Sequence, residues 1–222
     1  MIFYDYWRSS SAWRVRIALN IKQITVERRA VNLAPQGEDG GAQHRESFRA
    51  LNPMSQVPVL VLAESPGPPR TLSQSMAILE YLEERFPSPP LLPADPWLRA
   101  RTRQLAEMVN AGIQPMQNLS LLQRLQESGL AEPKELARYH IARGLGAIEA
   151  IAGETAGRFL VGDAPTIADL YLVPQLYAGR RFNVDLSAFP KLLQVEAACA
   201  ALPAFAAAHP DVQPDAPAVS KS

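Results

Sequence analysis

YWRSSSAWRVRIAL, residues 6–19, sets three hydroxyls between two arginines just where an amphipathic pattern begins. Val15, Ala18, Leu19 and Ile21 recur at helical spacing, with Arg14 and Asn20 on the other side, so a helix is expected over 11–22. Ahead of it, residues 1–6 alternate apolar and polar side chains as a short strand does; behind it, TVERRAV (25–31) is β-branched and alternating. Strand, helix, strand is a βαβ unit. Ser9, Ser10 and Ser11 then stand at the helix N-terminus, where serine is a favoured cap. The same helix end gathers orphan N–H groups and partial positive charge, which favour a bound anion such as a thiolate. The stretch alone leaves both roles open.

Reading onward, residues 34–45 are polar and Gly-rich, a loop, and ESFRALNP is a short helix stopped by Pro53. VPVLVLA (57–63) is a continuous apolar strand, SPGPPR a turn, and Thr71 and Leu72 begin the returning strand of a hairpin. SQSMAILEYLEERF (73–86) is a strong helix that Pro87 ends. Residues 1–86 therefore read β-α-β-α-β-β-α, an α/β domain, with a Pro-rich linker at 87–95. From 96 to 222 the pattern is helical throughout. A long apolar stripe contains Pro115, which predicts a kink there. TIADLYLVPQLYAGRRF is nearly all apolar and is expected to be the buried central helix, opened by a capping box between Thr166 and Asp169.

Bulk properties narrow the classes of function. With 22 basic and 22 acidic residues the formal net charge is zero, which gives no electrostatic footprint for nucleic acid. No run approaches the roughly 18 apolar residues of a membrane span, and Asp5 and Arg8 interrupt any signal-peptide apolar region. The single cysteine, Cys199, excludes an intrachain disulfide and suits a reducing, cytoplasmic compartment. His44, His140 and His209 lack metal-ligand spacing, so no metal site is expected.

The motifs themselves resemble a known family. SSSAWRVRIAL is similar to the S-S-C-x-W-R-V-R-I-A-L signature of the zeta-class glutathione transferases, the maleylacetoacetate isomerases. ALNPMSQVPVL, SQSMAILEYLEE, LLPADP, GIQPMQNLSLL, VGDAPTIADLYLVPQ and RFNVDLSAFP resemble that family in order and spacing, over essentially the whole chain. The resemblance implies a thioredoxin-like N-terminal domain, an all-α C-terminal domain, and a homodimer with glutathione as cofactor. One position departs: the family's usual cysteine is Ser11 here, so chemistry through an enzyme–glutathione disulfide is not expected, whereas isomerisation needs none.

Carried over residue by residue, the resemblance makes Ser9 the main sulfur-activating hydroxyl, with Ser10 and Ser11 beside it. A hydroxyl donating to sulfur favours thiolate over thiol. Val57-Pro58 is expected to be cis, presenting the Val57 backbone to the cysteinyl part of glutathione. Gln74 and Ser75, at a helix N-terminus, would take the γ-glutamyl carboxylate; Gln43, in the polar loop, would meet the glycine end. Gln114, Asn118 and Ser120 interrupt an apolar stripe and are expected to line the ligand cleft, the alternative being a solvated helix face. Arg8 and Arg181 are the candidate carboxylate-binding arginines for substrate, with Arg180 the weaker choice and Arg14 or Arg16 expected in a structural ion pair.

The implied activity is glutathione-dependent conversion of maleylacetoacetate to fumarylacetoacetate in tyrosine and phenylalanine catabolism. Reversible addition of a thiolate lets the former double bond rotate. Arg8 and the helix terminus are candidates to stabilise the developing enolate. Maleylpyruvate isomerisation is the near alternative, disfavoured because Asn118, Leu119 and Ser120 are uncharged; conjugation or dehalogenation of small α-halo acids is a further one. A binding module that has lost catalysis is a third, opposed by the retained serines, QVP and QS.

Overall fold

Strand β1 (Ile2–Asp5) runs parallel to β2 (Glu27–Ala30), with Phe3 opposite Arg28, and the crossover between them is helix α1 (Ser10–Ile21). In this computed structural model residues 1–34, 40–62, 67–129 and 132–217 are described. The expected loop at 34–45 and turn at 65–70 lie partly outside them. After the short helix α2 (Glu46–Arg49), β3 (Val59–Leu62) and β4 (Arg70–Ser73) form the expected hairpin, and β3 pairs antiparallel with β1. The sheet order is β2-β1-β3-β4. Helix α3 (Ser75–Arg85) follows.

Alternation along the strands explains how this sheet is covered. Phe3 and Leu60 are opposite each other and fully buried, as are Ile17, Ile78, Leu79 and Leu82 of α1 and α3. Val59 and Val61, one residue out of phase, join Val31, Phe48 and Val57 in a cluster flanked by Tyr4 and Tyr6. Both faces of β3 are thus buried, which is why its sequence is a continuous apolar run rather than an alternating one. Edge strand β2 is polar and mostly exposed.

Contacts divide the chain into two units, Pro90–Leu202 and the remainder. The reading of 96–222 as one helical domain differs from this arrangement. Helix α9 (Pro203–Ala208) and the segment after it return to the first unit, where α9 packs on α1. The reason is polar as well as apolar. Phe205 and Ala208 are buried, Arg16 Nε donates to Ala208 O at 3.1 Å, and Asn20 Nδ2 donates to Ala204 O at 3.0 Å. Lys22 closes the other end of α1. Its buried ammonium donates to Glu83 Oε2 (2.8 Å) and to the carbonyls of Phe86 (2.6 Å) and Pro89 (3.0 Å), capping the end of α3.

The second unit holds α4 (Pro96–Glu107), α5 (Leu119–Ser128), α6 (Pro133–Thr155), α7 (Ile167–Arg181) and α8 (Pro190–Ala200). As expected, α7 is central: Ile167, Leu170, Tyr171, Leu172 and Leu176 are fully buried, and α4, α6 and α8 pack against it. The predicted kink at Pro115 is instead a break. α4 widens into a π turn at Met108–Ile113, tightens into a 3₁₀ turn at Gln114–Gln117, and ends at Asn118 in extended conformation. Pro115 supplies no N–H and crowds the preceding turn, so the α ladder yields on both sides of it. Gly144 of α6 meets this segment closely: a Cβ there would stand 2.3 Å from the Ile113 side chain. Among the described residues no helix is long and apolar enough to cross a membrane.

Candidate functional site

The turn Tyr6–Ser9 leads from β1 into α1 and is closed by Ser9 N–H donating to Tyr6 O at 3.0 Å. Ser9 is the N-cap: its φ and ψ, −67° and 116°, are extended, and its Oγ accepts from Ala12 N–H at 3.2 Å. The capping role is therefore real. It uses only a lone pair, and the hydroxyl hydrogen meets no acceptor among the described residues. Ser10 and Ser11 follow in the first turn, half-buried. That turn contains no acidic side chain, so the positive end of α1 is not neutralised from within. Arg8 is exposed, its guanidinium 5.2 Å from the Trp7 ring centroid.

A second set of groups lies at the start of α3. Val57-Pro58 is cis, as expected. Among the described residues the Val57 N–H and C=O meet no hydrogen-bonding partner, which leaves a strand-like edge beside β3. Gln74, the α3 N-cap, holds φ +70°, a conformation uncommon outside glycine. Gln74 is exposed and Ser75 buried, and Arg14 Nη1 donates to Ser75 Oγ at 3.1 Å, joining α1 to the α3 terminus. Arg14 is itself buried; Arg16 is the structural ion pair, with Nη1 2.7 Å from Asp5 Oδ1. Burial pulls the Arg16 guanidinium below its ordinary pKa, against the opposing pull of Asp5. Gln43, in the short 3₁₀ turn Ala42–His44, has a buried Oε1 with no partner among the described residues.

The first unit thus offers hydroxyl donors at one helix N-terminus, a second helix N-terminus with a strained cap, an unpaired backbone edge and an orphan amide oxygen. Those groups suit an extended, peptide-like ligand carrying an anionic sulfur and carboxylates.

In the second unit the expected residues separate into different roles. Asn118 is the α5 N-cap, accepting from Ser120 N–H (3.3 Å) and Ser120 Oγ (3.2 Å), so part of the polarity of NLS is spent on the helix start. Gln114 is half-buried at the start of the 3₁₀ turn. Arg180 makes a two-pronged ion pair with Glu196 (2.6 and 2.5 Å), which removes it as a substrate candidate, and Arg181 beside it is exposed. A pair the sequence reading missed is Gln117 with Gln175, each amide donating to the other at 3.0 Å. The signal was present in Gln175, a polar residue inside an otherwise apolar helix. The Thr166–Asp169 box forms: Thr166 N–H and Oγ1 donate to Asp169 Oδ2 at 2.7 and 3.0 Å, and Leu160 N–H donates to Oδ1 at 2.8 Å. Burial, against these hydrogen bonds, pushes the Asp169 carboxyl up to about 6. Cys199 is fully buried and its thiol is pushed up by desolvation, so it is not a nucleophile.

Comparison with known proteins agrees with this geometry. Residues 8–85 match the family model "Glutathione S-transferase, N-terminal domain" and residues 117–178 match "Glutathione S-transferase, C-terminal domain". The chain is 45% identical to the maleylacetoacetate isomerase of Rattus norvegicus, over 98% of this chain and 95% of that protein. Its fold matches a maleylacetoacetate isomerase from Anaeromyxobacter dehalogenans, solved with bound GSH in the active site. The TM-score is 0.88 at 56% identity, over 97% of both chains. It also matches a holo maleylpyruvate isomerase, a bacterial zeta-class glutathione S-transferase. There the TM-score is 0.89 at 40% identity, over 98% of this chain and all of the other.

Proposed function

This chain belongs to the zeta class of the glutathione S-transferases, the maleylacetoacetate isomerase family, and from that premise we propose that it isomerises maleylacetoacetate to fumarylacetoacetate with glutathione as cofactor. When bound, glutathione supplies a thiolate that adds to the substrate's double bond and is released again, so it is not consumed. The observation that carries the reading is Ser9: its Oγ caps α1 as an acceptor and keeps its O–H to donate to sulfur. A donated hydrogen bond and the unneutralised helix end both favour the charged thiolate, lowering the thiol pKa. Ser10 and Ser11 stand beside Ser9 in the same turn.

The other groups fit the rest of the tripeptide. The Val57 backbone edge pairs with the cysteinyl residue, Gln74 and Ser75 hold the γ-glutamyl carboxylate, and the orphan Oε1 of Gln43 accepts from the glycyl N–H. The family resemblance assigns Gln114, Asn118 and Ser120 to glutathione as well. Arg8 binds a carboxylate of the substrate and helps to stabilise negative charge that develops on the adjacent carbonyl; the family resemblance assigns Arg181 to a substrate carboxylate too. Arg180, occupied by Glu196, does not bind one. We also infer a cytoplasmic homodimer in tyrosine and phenylalanine catabolism, as the family resemblance implies. Met54 (64% exposed) and Trp97 (66% exposed) are large apolar side chains suited to burial by a second copy. Light scattering tests this, and a monomeric mass overturns it.

The activity test is the ultraviolet decay of maleylacetoacetate with and without glutathione, for the native protein and Ser9→Ala. We expect glutathione-dependent isomerisation that falls at least about 10²-fold in the variant, the usual scale for a lost catalytic proton or hydrogen-bond contact. Glutathione binding without isomerisation moves the substrate to maleylpyruvate or a small α-halo acid.

A further inference from the structure

The returning C-terminal segment does more than cover α1. Its Asp215 Oδ2 accepts from the backbone N–H of Trp7 at 2.8 Å, across 208 residues of sequence. Trp7 is the second residue of the Tyr6–Ser9 turn, and its carbonyl is held from the other side by Arg16 Nη2 at 2.8 Å. Arg16 Nη1 also reaches Tyr6 O, at 3.4 Å. The backbone N–H and C=O of Trp7 are thus both held by side chains from outside the turn. The Trp7 ring in turn carries the Arg8 guanidinium.

The clamp is itself braced. Buried Asp5 binds Arg16 and Arg28 together, and Arg28 Nη2 lies 3.6 Å from Asp215 Oδ1. Arg28 Nη1 donates to Gln213 Oε1 at 2.6 Å. Gln213 is buried, and its Nε2 donates to the carbonyls of Ala207 (3.0 Å) and His209 (2.7 Å), fixing the segment that delivers Asp215. The Trp13 and His209 rings meet edge to face, with centroids 5.2 Å apart. A turn needs no such bracing merely to exist, because Ser9 N–H to Tyr6 O already closes it. What hydrogen bonds to the N–H and to the C=O of one residue, on the two successive peptide groups that flank its Cα, add is orientation.

We propose that Asp215 is a positioning residue for the reaction: through the Trp7 peptide it sets the orientation of the turn that presents Arg8 and Ser9. This rests on the function proposed above, in which those two side chains meet substrate and sulfur. Displacement of catalytic groups by about 1 Å from a remote change costs up to about 10²-fold in rate, and lost outer contacts to liganding groups cost about 10- to 100-fold.

The test compares Asp215→Ala with Asp215→Asn, which keeps an oxygen acceptor without the charge. Three quantities are measured on each purified variant: kcat/KM for glutathione-dependent isomerisation, the pKa of the enzyme-bound glutathione thiol by thiolate absorbance, and amide hydrogen exchange at residues 6–9. We expect Asp215→Ala to lower kcat/KM about tenfold, mainly in kcat, to raise the thiol pKa, and to speed exchange at Trp7. Asp215→Asn should recover at least about half of that loss on a logarithmic scale, since the acceptor survives. Unchanged kcat/KM and thiol pKa in Asp215→Ala overturn the proposal, as does an Asp215→Asn variant equally impaired. If Asp215→Ala does not fold, Asp215→Asn and Gln213→Leu, which frees the delivering segment, carry the same three readouts. If the native protein proves not to isomerise, the reading of function fails on its own. Exchange at Trp7 then decides the clamp: faster in Asp215→Ala supports it, unchanged removes it.

Discussion

The N-termini of α1 and α7 start from the same ingredients. Each opens with a hydroxyl residue in extended conformation, Ser9 at φ −67°, ψ 116° and Thr166 at φ −124°, ψ 172°. At α7 the chain supplies everything the helix end needs. Asp169 brings a carboxylate to the N3 position, takes hydrogen bonds from Thr166 and Leu160, and is fully buried. Ile167 N–H donates to Leu91 O at 2.9 Å. At α1 no acidic residue enters the first turn, and the cap hydroxyl keeps a hydrogen to give. A helix end that neutralises itself holds the fold, whereas one left positive and half-open is available to an anion from outside.

Substitutions at the two ends should separate stability from activity. Asp169→Ala has the largest expected effect, because it strands the N–H groups of Thr166 and Leu160 in the core of the helical unit. At about 1–3 kcal/mol for each orphaned buried group, the loss is about 4 kcal/mol, read as a lowered urea midpoint. A loss below about 1 kcal/mol would show that the box is not sealed and break the contrast.

The second effect is the pH dependence of the same carboxyl. Its pKa of about 6 in the folded protein exceeds the ordinary 3.8. Between those values the folded chain binds more protons than the unfolded one, so the contribution of Asp169 to stability is full below the lower value and declines as pH rises through the higher. Integrated over that window the decline is about 3 kcal/mol. Asp169→Asn cannot titrate, so the stability of the native protein minus that of Asp169→Asn should fall by this amount from about pH 3 to about pH 7. A difference that does not change with pH would mean that the hydrogen bonds balance desolvation, and one that rises with pH that they outweigh it.

The smallest effect is at the other end. Ser9→Ala removes one cap hydrogen bond and should cost only about 1 kcal/mol of stability, in the same variant whose isomerisation is expected to fall at least about 10²-fold. If instead Ser9→Ala destabilises as much as Asp169→Ala while sparing kcat, α1 would be the structural end and the contrast would be reversed.

Much of this was legible in order along the chain. The alternation in 25–31, the unbroken apolar run VLVL and the helical stripe of 73–86 place the four strands and helices α1 to α3 within a few residues of where they stand. The Thr166–Asp169 box could be read because both partners lie within one helical turn. Local signals of this kind survive folding because they arise from neighbours in sequence. What escaped the reading is long-range. Pro115 announced a disturbance, but the depth of the break depended on how the chain repacked around it, with Ile113 seated against Gly144. The return of α9 and Asp215 to the first unit was hidden because an Ala-rich helix looks alike wherever it docks.

The sequence by itself determined the elements, the helix ends and the chemistry placed at them: three serines and an arginine at one N-terminus, a carboxylate at another, and a proline-bearing apolar strand between. Tertiary structure alone decided which of those groups are spent. Arg16 and Arg180 are consumed by Asp5 and Glu196, whereas Ser9 retains a donor. It also decided that the backbone of Trp7, the residue before Arg8, is held at its C=O by Arg16 and at its N–H by Asp215. The physical reason is that propensity and periodicity act over a few residues, while the satisfaction of a buried polar group depends on whatever the whole fold brings within about 3 Å of it.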